Sequence, residues 1–468
     1  MSWRGAVVVI GLALLVAAGA VVAFAATYGL PWSSTDTSGP ALITPSPPPA
    51  AAWESAAEVL PAAGDVEPTD DAAGSSDAVA AALAGPLAAD GLGGRVGVSV
   101  IDLASDTPVY QSEAARAQTP ASTLKILTAV AALDVLGPEH VFTTKVVIAG
   151  AGLEPPAAMI TLVGGGDPTL TTEDGDGTSL TALAERTARA LDEAGVTSVT
   201  LTYDDSLFSG PAVDPDWRPT YVSSGVVSPV TALAVDVAED RPQDPSAAAA
   251  DQFAELLRER GIDVAAQVQP DAVADDATEI ASVHSGPVAA VVEDLLITSD
   301  NDVAEVLARH VALGAGLEGT AAEASTAVVR TLDELGIDMS SVTMLDGSGL
   351  ARGNAVPAST IAAAVALAAD SEHPQLRAAV TGLPVAGFTG TLADRIEQSP
   401  GAGNVRAKTG TLTGVSSLAG VVTSADGVRF AFAVLADDIT NTFEARAALD
   451  DVAAALAGCT CGAGQAPS

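Results

Sequence analysis

At 468 residues the chain is too long for one small core, so two or more structural units are expected. Its formal net charge of −39 repels phosphate backbones and argues against a nucleic-acid partner; by itself it indicates solubility and names no substrate. The apolar content is largely Ala and aromatic residues are scarce, which fits a globular protein of small-residue helices rather than a fibrous or wholly disordered one.

Behind Arg4, Ala6 to Ala26 form an apolar run long enough to span a bilayer. Within it Ala23-Phe24-Ala25 matches a small-residue cleavage site, so residues 1–30 read as a signal peptide or a membrane anchor. Either reading puts the rest of the chain outside the cytoplasm. Residues 31–78 include Thr44-Pro45-Ser46-Pro47-Pro48-Pro49 and continue through acidic, Gly- and Ser-bearing sequence, the composition of an extended tether.

The folded part opens on alternating β-branched residues from Arg95 to Leu103, followed by Pro108-Val109-Tyr110, a hairpin signal. Thr119-Pro120-Ala121-Ser122 leads into a helix to about Leu136, stopped by Gly137-Pro138 and apolar on all sides, hence buried. From Glu139 to Pro287 short strands mix with Ala-rich helices. Ser299-Asp300-Asn301 opens an amphipathic helix carrying Val303, Val306, Leu307, His310 and Val311. Helices are expected near 320–335 and 359–369. Strands are expected at Val405–Leu412, Leu418–Thr423 and Val428–Leu435, the last two joined by a Ser424-Ala425-Asp426-Gly427 turn, and a final helix at about Thr442–Leu456. Terminal strands around central helices give an α/β (α+β) fold: an antiparallel sheet flanked by helices.

Lysine is rare: Lys125, Lys145 and Lys408 are the only three. Lys125 lies three residues after Ser122 at a helix start, so the two share a face. The positive end of the helix dipole and apolar burial both disfavour its ammonium, and a neutral amine beside a hydroxyl is a general base beside a nucleophile. Taken alone, the pair also reads as a Ser cap with a snorkelling Lys. Ser299-Asp300-Asn301 is an ordinary capping cluster, or a second polar group in which Ser299 relays a proton and Asn301 holds Lys125 and a substrate amide. In Lys408-Thr409-Gly410 the lysine can attract a carboxylate and lower the Lys125 pKa further, while Gly allows close backbone approach; the plainer reading is an exposed strand lysine. Thr411 can offer a second oxyanion N–H beside that of Ser122. The two cysteines, Cys459 and Cys461, are too close for an ordinary structural bridge, and four scattered histidines make no metal signature. No metal or other cofactor is expected.

Ser-x-x-Lys, Ser-x-Asn and Lys-Thr-Gly in this order are the signature of penicillin-binding proteins and serine β-lactamases. With Pro120 to Lys125, Gly165-Gly166-Asp167-Pro168, Asp346-Gly347-Ser348-Gly349-Leu350 and Lys408 to Leu412 followed by Gly414-Val415, the chain resembles the low-molecular-mass class C penicillin-binding proteins, the D-alanyl-D-alanine carboxypeptidase/endopeptidase family, over about residues 79–458. The resemblance implies a β-lactamase/transpeptidase-like catalytic domain at 79–138 and 288–468, with inserted material at 139–287 separating Ser122 from Ser299 by 177 residues. It implies catalytic Ser122, Lys125, Ser299, Asn301 and Lys408, and an oxyanion hole from Ser122 and Thr411. Thr409, Gly410, Asp167 and Arg352 would bind substrate, with Ala351 standing where the family often has Ser. Peptidoglycan stem peptides would be the substrates and β-lactams the inhibitors. A class A β-lactamase would need a Glu-x-x-Leu-Asn glutamate between Asn301 and Lys408, and Glu334-Leu335-Gly336-Ile337-Asp338 does not match. A non-catalytic wall-binding module would not need every catalytic side chain to be present.

Overall fold

The computed structural model describes residues 74–462, apart from 149–152, 154, 174–178, 237–240, 266–267 and 274–276. The apolar run at 6–26 and most of the expected tether lie outside the described residues. Among the described residues no helix is long and apolar enough to cross a membrane.

After α1 (Ser76–Leu83), capped by Ser75, come β1 (Arg95–Asp102) and β2 (Thr107–Ser112). Ala121–Leu124 is a 3-10 turn running directly into α2 (Lys125–Leu136). The next segment holds β3 (Thr143–Ile148), β4 (Ala157–Val163), α3 (Leu180–Glu193), β5 (Ser198–Asp204), α4 (Pro245–Glu259), β6 (Asp263–Val264), β7 (Gln269–Pro270) and β8 (Thr278–His284). Then follow α5 (Val288–Thr298), α6 (Asn301–Gly314), α7 (Ala321–Glu334), α8 (Ala358–Ala369), β9 (Val405–Leu412), β10 (Val415–Thr423), β11 (Arg429–Asp437) and α9 (Thr442–Gly458).

The strands form two main sheets. The first is antiparallel throughout in the order β9-β10-β11-β1-β2, so the ends of the chain build it together. The second is mixed, in the order β6-β5-β4-β3-β8 with β7 on β5, and lies wholly within residues 143–284. Leu183, Leu191, Phe253 and Leu257 of α3 and α4 share its core with Ile160, Leu162 and Leu201.

Both faces of the first sheet are covered, and β11 shows how. Phe430, Phe432 and Val434 point into a core with α1 and α9, while Ala431, Ala433 and Leu435 point into one with α2, α5, α6, α7 and α8. This is the period-2 alternation of a strand, with both sides apolar. The Ala residues on the multi-helix face keep side-chain volume low where α8 lies on β11 and β1.

One expectation is overturned at the C-terminus: Cys459 and Cys461 form a disulfide. Cys459 is extended as it leaves α9, so the two Cα atoms are 5.3 Å apart, within bridging range even with one residue between them. The backbone of this clasp receives the start of the folded body. Ser75 N–H donates to the Cys461 carbonyl, Gly74 bridges to Gly462, and Gly74 N–H donates to the Asp102 carboxylate.

Candidate active site

Ser122 and Lys125 belong to the 3-10 turn and the start of α2. In a 3-10 turn residues i and i+3 eclipse, a tighter juxtaposition than the α-helical spacing expected from sequence. Ala121 enters the turn at φ +49°, left-handed for a non-glycine residue, at a cost of roughly 1–3 kcal/mol. The Pro120 carbonyl is held by the hydroxyls of Thr123 and Ser417, both at 2.7 Å, tying the turn to β10.

Lys125 is fully buried, and its Nζ donates to three oxygens: Ser122 Oγ at 3.2 Å, Asn301 Oδ1 at 2.7 Å and the Ser348 carbonyl at 2.8 Å. Burial lowers its pKa from 10.5 to about 8, against the opposing pull of Asp346, Glu305, Asp300 and Asp302. The amine is thus available as a proton acceptor one hydrogen bond from a serine hydroxyl.

Ser299 ends α5 in the left-handed region, at φ +66°, and Asp300 caps α6 by accepting from the N–H groups of Asp302 and Val303. Asp300 fills the capping reading of this tripeptide, while Ser299 and Asn301 turn to the two lysines. The backbone reversal presents Ser299 Oγ to Lys408 Nζ at 2.6 Å, and Asn301, the first residue of α6, faces Lys125. Asn301 Nδ2 donates to the Val226 carbonyl at 2.8 Å, so both ends of the amide are occupied by protein.

Lys408 is not an exposed strand lysine. It is fully buried on β9, with its pKa depressed first by desolvation and then by Lys125. Repulsion from Lys125 is thus one cause of the Lys408 depression, while the carboxylates around Lys125 oppose its own. Thr409 Oγ1 bonds Thr391 Oγ1 at 2.9 Å. A Cβ on Gly410 would lie 2.8 Å from the Pro120 carbonyl oxygen and 3.1 Å from the Ser122 nitrogen, so only glycine lets β9 lie this close to the serine turn. Thr411 follows Gly410 on the same strand and pairs in register with Ser416.

Two substrate-binding expectations lie apart from this cluster. Asp167 is buried, and its Oδ1 accepts from the N–H and hydroxyl of Thr169 at 2.8 and 2.7 Å. The described hydrogen bonds do not join it to the lysines or serines. Its loop is held to α6 by His310 Nε2, 2.8 Å from the Gly166 carbonyl. Arg352 donates to the Thr413 carbonyl at 2.7 Å, in the turn after β9, and lines a recess of about 470 Å³ with Arg95, Thr119 and Asp437.

The sequence reading missed the support beneath Lys125. Glu305, one turn along α6 from Asn301 and buried, accepts from the N–H groups of Gly347 and Ser348 at 3.1 and 2.8 Å. Asp346 accepts from Gly349 and Ala351 N–H, Asn354 Nδ2 and Trp217 Nε1. Glu305 falls on the side of α6 opposite the Val303, Val306, Leu307, His310 and Val311 stripe, so the amphipathic pattern gave no signal that it would be buried.

A family model described as D-Ala-D-Ala carboxypeptidase 3 (S13) matches residues 79–240 and 238–458. The chain belongs to this family. A carboxypeptidase of Mycobacterium tuberculosis is 34% identical over 430 residues, covering 89% of this chain and 90% of the relative. The carboxypeptidase DacB of Mycolicibacterium smegmatis is 33% identical over 475 residues, covering 98% and 99%. The fold is that of penicillin-binding protein 4 of Haemophilus influenzae, with a TM-score of 0.67 at 23% identity, covering 77% of this chain and 94% of that one. The expected transpeptidase-like architecture and the expected enzyme class, a serine hydrolase of the D-Ala-D-Ala carboxypeptidase family, are both borne out.

Proposed function

We propose that the protein is a serine D-alanyl-D-alanine carboxypeptidase that trims peptidoglycan stem peptides through an acyl-enzyme on Ser122. The observation that carries this is the position of Lys125 Nζ between Ser122 Oγ, Asn301 Oδ1 and the Ser348 carbonyl. Lys125 takes the hydroxyl proton as Ser122 Oγ bonds to the carbonyl carbon of the penultimate D-Ala. The oxyanion is held by the N–H groups of Ser122 and Thr411. Collapse breaks the C–N bond, and terminal D-Ala leaves with a proton delivered through Ser299. Water then hydrolyses the ester. Lys408 and Thr409 receive the substrate carboxylate, and Asp167 and Arg352, which lie apart from the lysine–serine cluster, bind outer parts of the substrate. A β-lactam enters the same path and stays as the ester.

The division of labour follows: 79–138 and 288–468 form the catalytic domain, 139–287 is an insertion, and the N-terminal segment places the enzyme in the cell envelope, anchored or secreted. Digestion of purified muropeptides, with products read by mass, tests the activity. Loss of one alanine from pentapeptides is expected, and opening of cross-linked dimers would add endopeptidase activity; unchanged muropeptides would overturn the reading. A serine β-lactamase is disfavoured because no Glu-x-x-Leu-Asn glutamate lies between Asn301 and Lys408.

Gly410→Ala tests the oxyanion geometry. The added methyl meets Pro120 and Ser122, so β9 must move away from the serine turn. Acylation by a fluorescent penicillin is expected to slow about 10²–10³-fold, the usual cost of losing one oxyanion donor. A wild-type rate would show that β9 does not supply it.

A further inference from the structure

We propose that Glu305 is a positioning residue for the general base: by clasping the backbone of Gly347 and Ser348 it aims the Ser348 carbonyl at Lys125 Nζ and sets a carboxylate opposite the buried ammonium. The proposal rests on the acyl-enzyme reading above.

Helix α6 reaches Lys125 by two arms one turn apart. Asn301 makes direct contact through Oδ1. Glu305 acts through the turn, its two oxygens receiving the N–H groups of Gly347 and Ser348 while the Ser348 carbonyl accepts from Lys125. The turn lies hard against α6: a Cβ on Gly347 would sit 2.7 Å from the Ala308 methyl and 2.8 Å from the Ala304 carbonyl oxygen. From the other side Thr128 Oγ1, on α2, donates to the Gly347 carbonyl at 2.7 Å. A turn gripped on both sides has little freedom, so a change at Glu305 passes to the lysine rather than being absorbed.

Charge makes this more than a prop. Burial, and then the neighbouring Asp346, raise Glu305 to about 8, the value to which burial lowers Lys125. Glu305 is among the carboxylates whose charge opposes the depression of Lys125. The other groups facing Lys125 are Asp300 and Asp302 at the head of α6, Asp346 in the turn and Lys408 on β9; Arg309 on α6 and Asp346 face Glu305. An ionised Glu305 favours the ammonium of Lys125. Below about 8 the raised Glu305 carboxyl is largely protonated, so Glu305→Gln leaves the foot of the acid limb near wild type and its effect is read in the plateau.

The test is the second-order rate of acylation by a fluorescent penicillin from pH 5.5 to 9.5, with melting curves, for the full-length wild type, Glu305→Gln and Glu305→Asp. For Glu305→Gln, whose amide oxygen can receive only one of the two N–H groups, the plateau is expected to fall roughly 10–100-fold, as for other groups that orient a catalytic centre from behind, with the foot of the acid limb near wild type. Glu305→Asp keeps the charge but is one methylene short of spanning both N–H groups; its limb stays near wild type and its plateau falls less. A folded Gln variant with an undiminished plateau, or one no slower than Glu305→Asp, overturns the proposal. If that variant does not fold, the Asp variant decides: an undiminished plateau overturns the proposal and a reduced plateau with the limb retained supports it. Wild-type labelling, measured alongside, reports separately on the acyl-enzyme itself.

Discussion

With alanine at position 122, the protein is expected to fold and to take no covalent penicillin. Ser122 Oγ takes part in one described hydrogen bond, to Lys125, and Lys125 keeps Asn301 and Ser348 when it is removed. The change in stability should thus stay near the net worth of a single hydrogen bond, about 1 kcal/mol. The chemistry has no such reserve, because without the oxygen there is no ester. Intact-mass measurement after penicillin treatment should show the adduct on wild type, peptide mapping should place it on Ser122, and the variant should remain unmodified. An adduct of the same mass on Ser122→Ala would move the nucleophile elsewhere.

Lys125→Ala is expected to slow acylation by about 10²–10⁴-fold, the range for loss of a general base. The nucleophile remains, so the variant should label slowly rather than never. Lys125→Met, which fills most of the vacated space, should be as slow and guards against attributing the loss to a cavity. The wild-type pH profile carries the same information. The reactive form is the neutral amine, and Lys125 sits at about 8, so acylation should rise tenfold per pH unit below that value and level off above it. A profile flat from pH 6 to 9 would exclude an amine of that pKa as the base.

Much of this centre was legible in the chain. Three motifs in order, two of them built on rare lysines, identified Ser122, Lys125, Ser299, Asn301 and Lys408, and the structure brings all five together. The strands and the last helix were readable because apolar periodicity and turn residues agree there; the Ser424–Gly427 turn is present, with Gly427 at φ +90°. Contacts between segments distant in sequence were not readable. Nothing local says that Val226 receives the Asn301 amide, that Trp217 reaches Asp346, or that Glu305 grips a turn some forty residues away. The disulfide was misjudged because spacing alone does not reveal an extended backbone at Cys459. The electrostatics were half legible: the depression of Lys125 by burial follows from an all-apolar helix, whereas the carboxylates that limit it come from other elements.

The clasp at Gly74 and Gly462 also has a mechanical meaning. Whatever precedes Gly74 enters the folded body beside Asp102, which pairs with Phe430 on β11. The serine turn lies instead near the row where Gly410 meets Ser417 and Ser417 meets Leu435. Five residues of β11 separate those rows, about 17 Å at the rise of a strand. A pull on the leading segment is therefore borne first at the far end of the sheet, by the Gly74 bridge and the Ser75–Cys461 hydrogen bond. The strand between acts as a stiff strut, so strain at the clasp leaves the nucleophile's geometry unloaded.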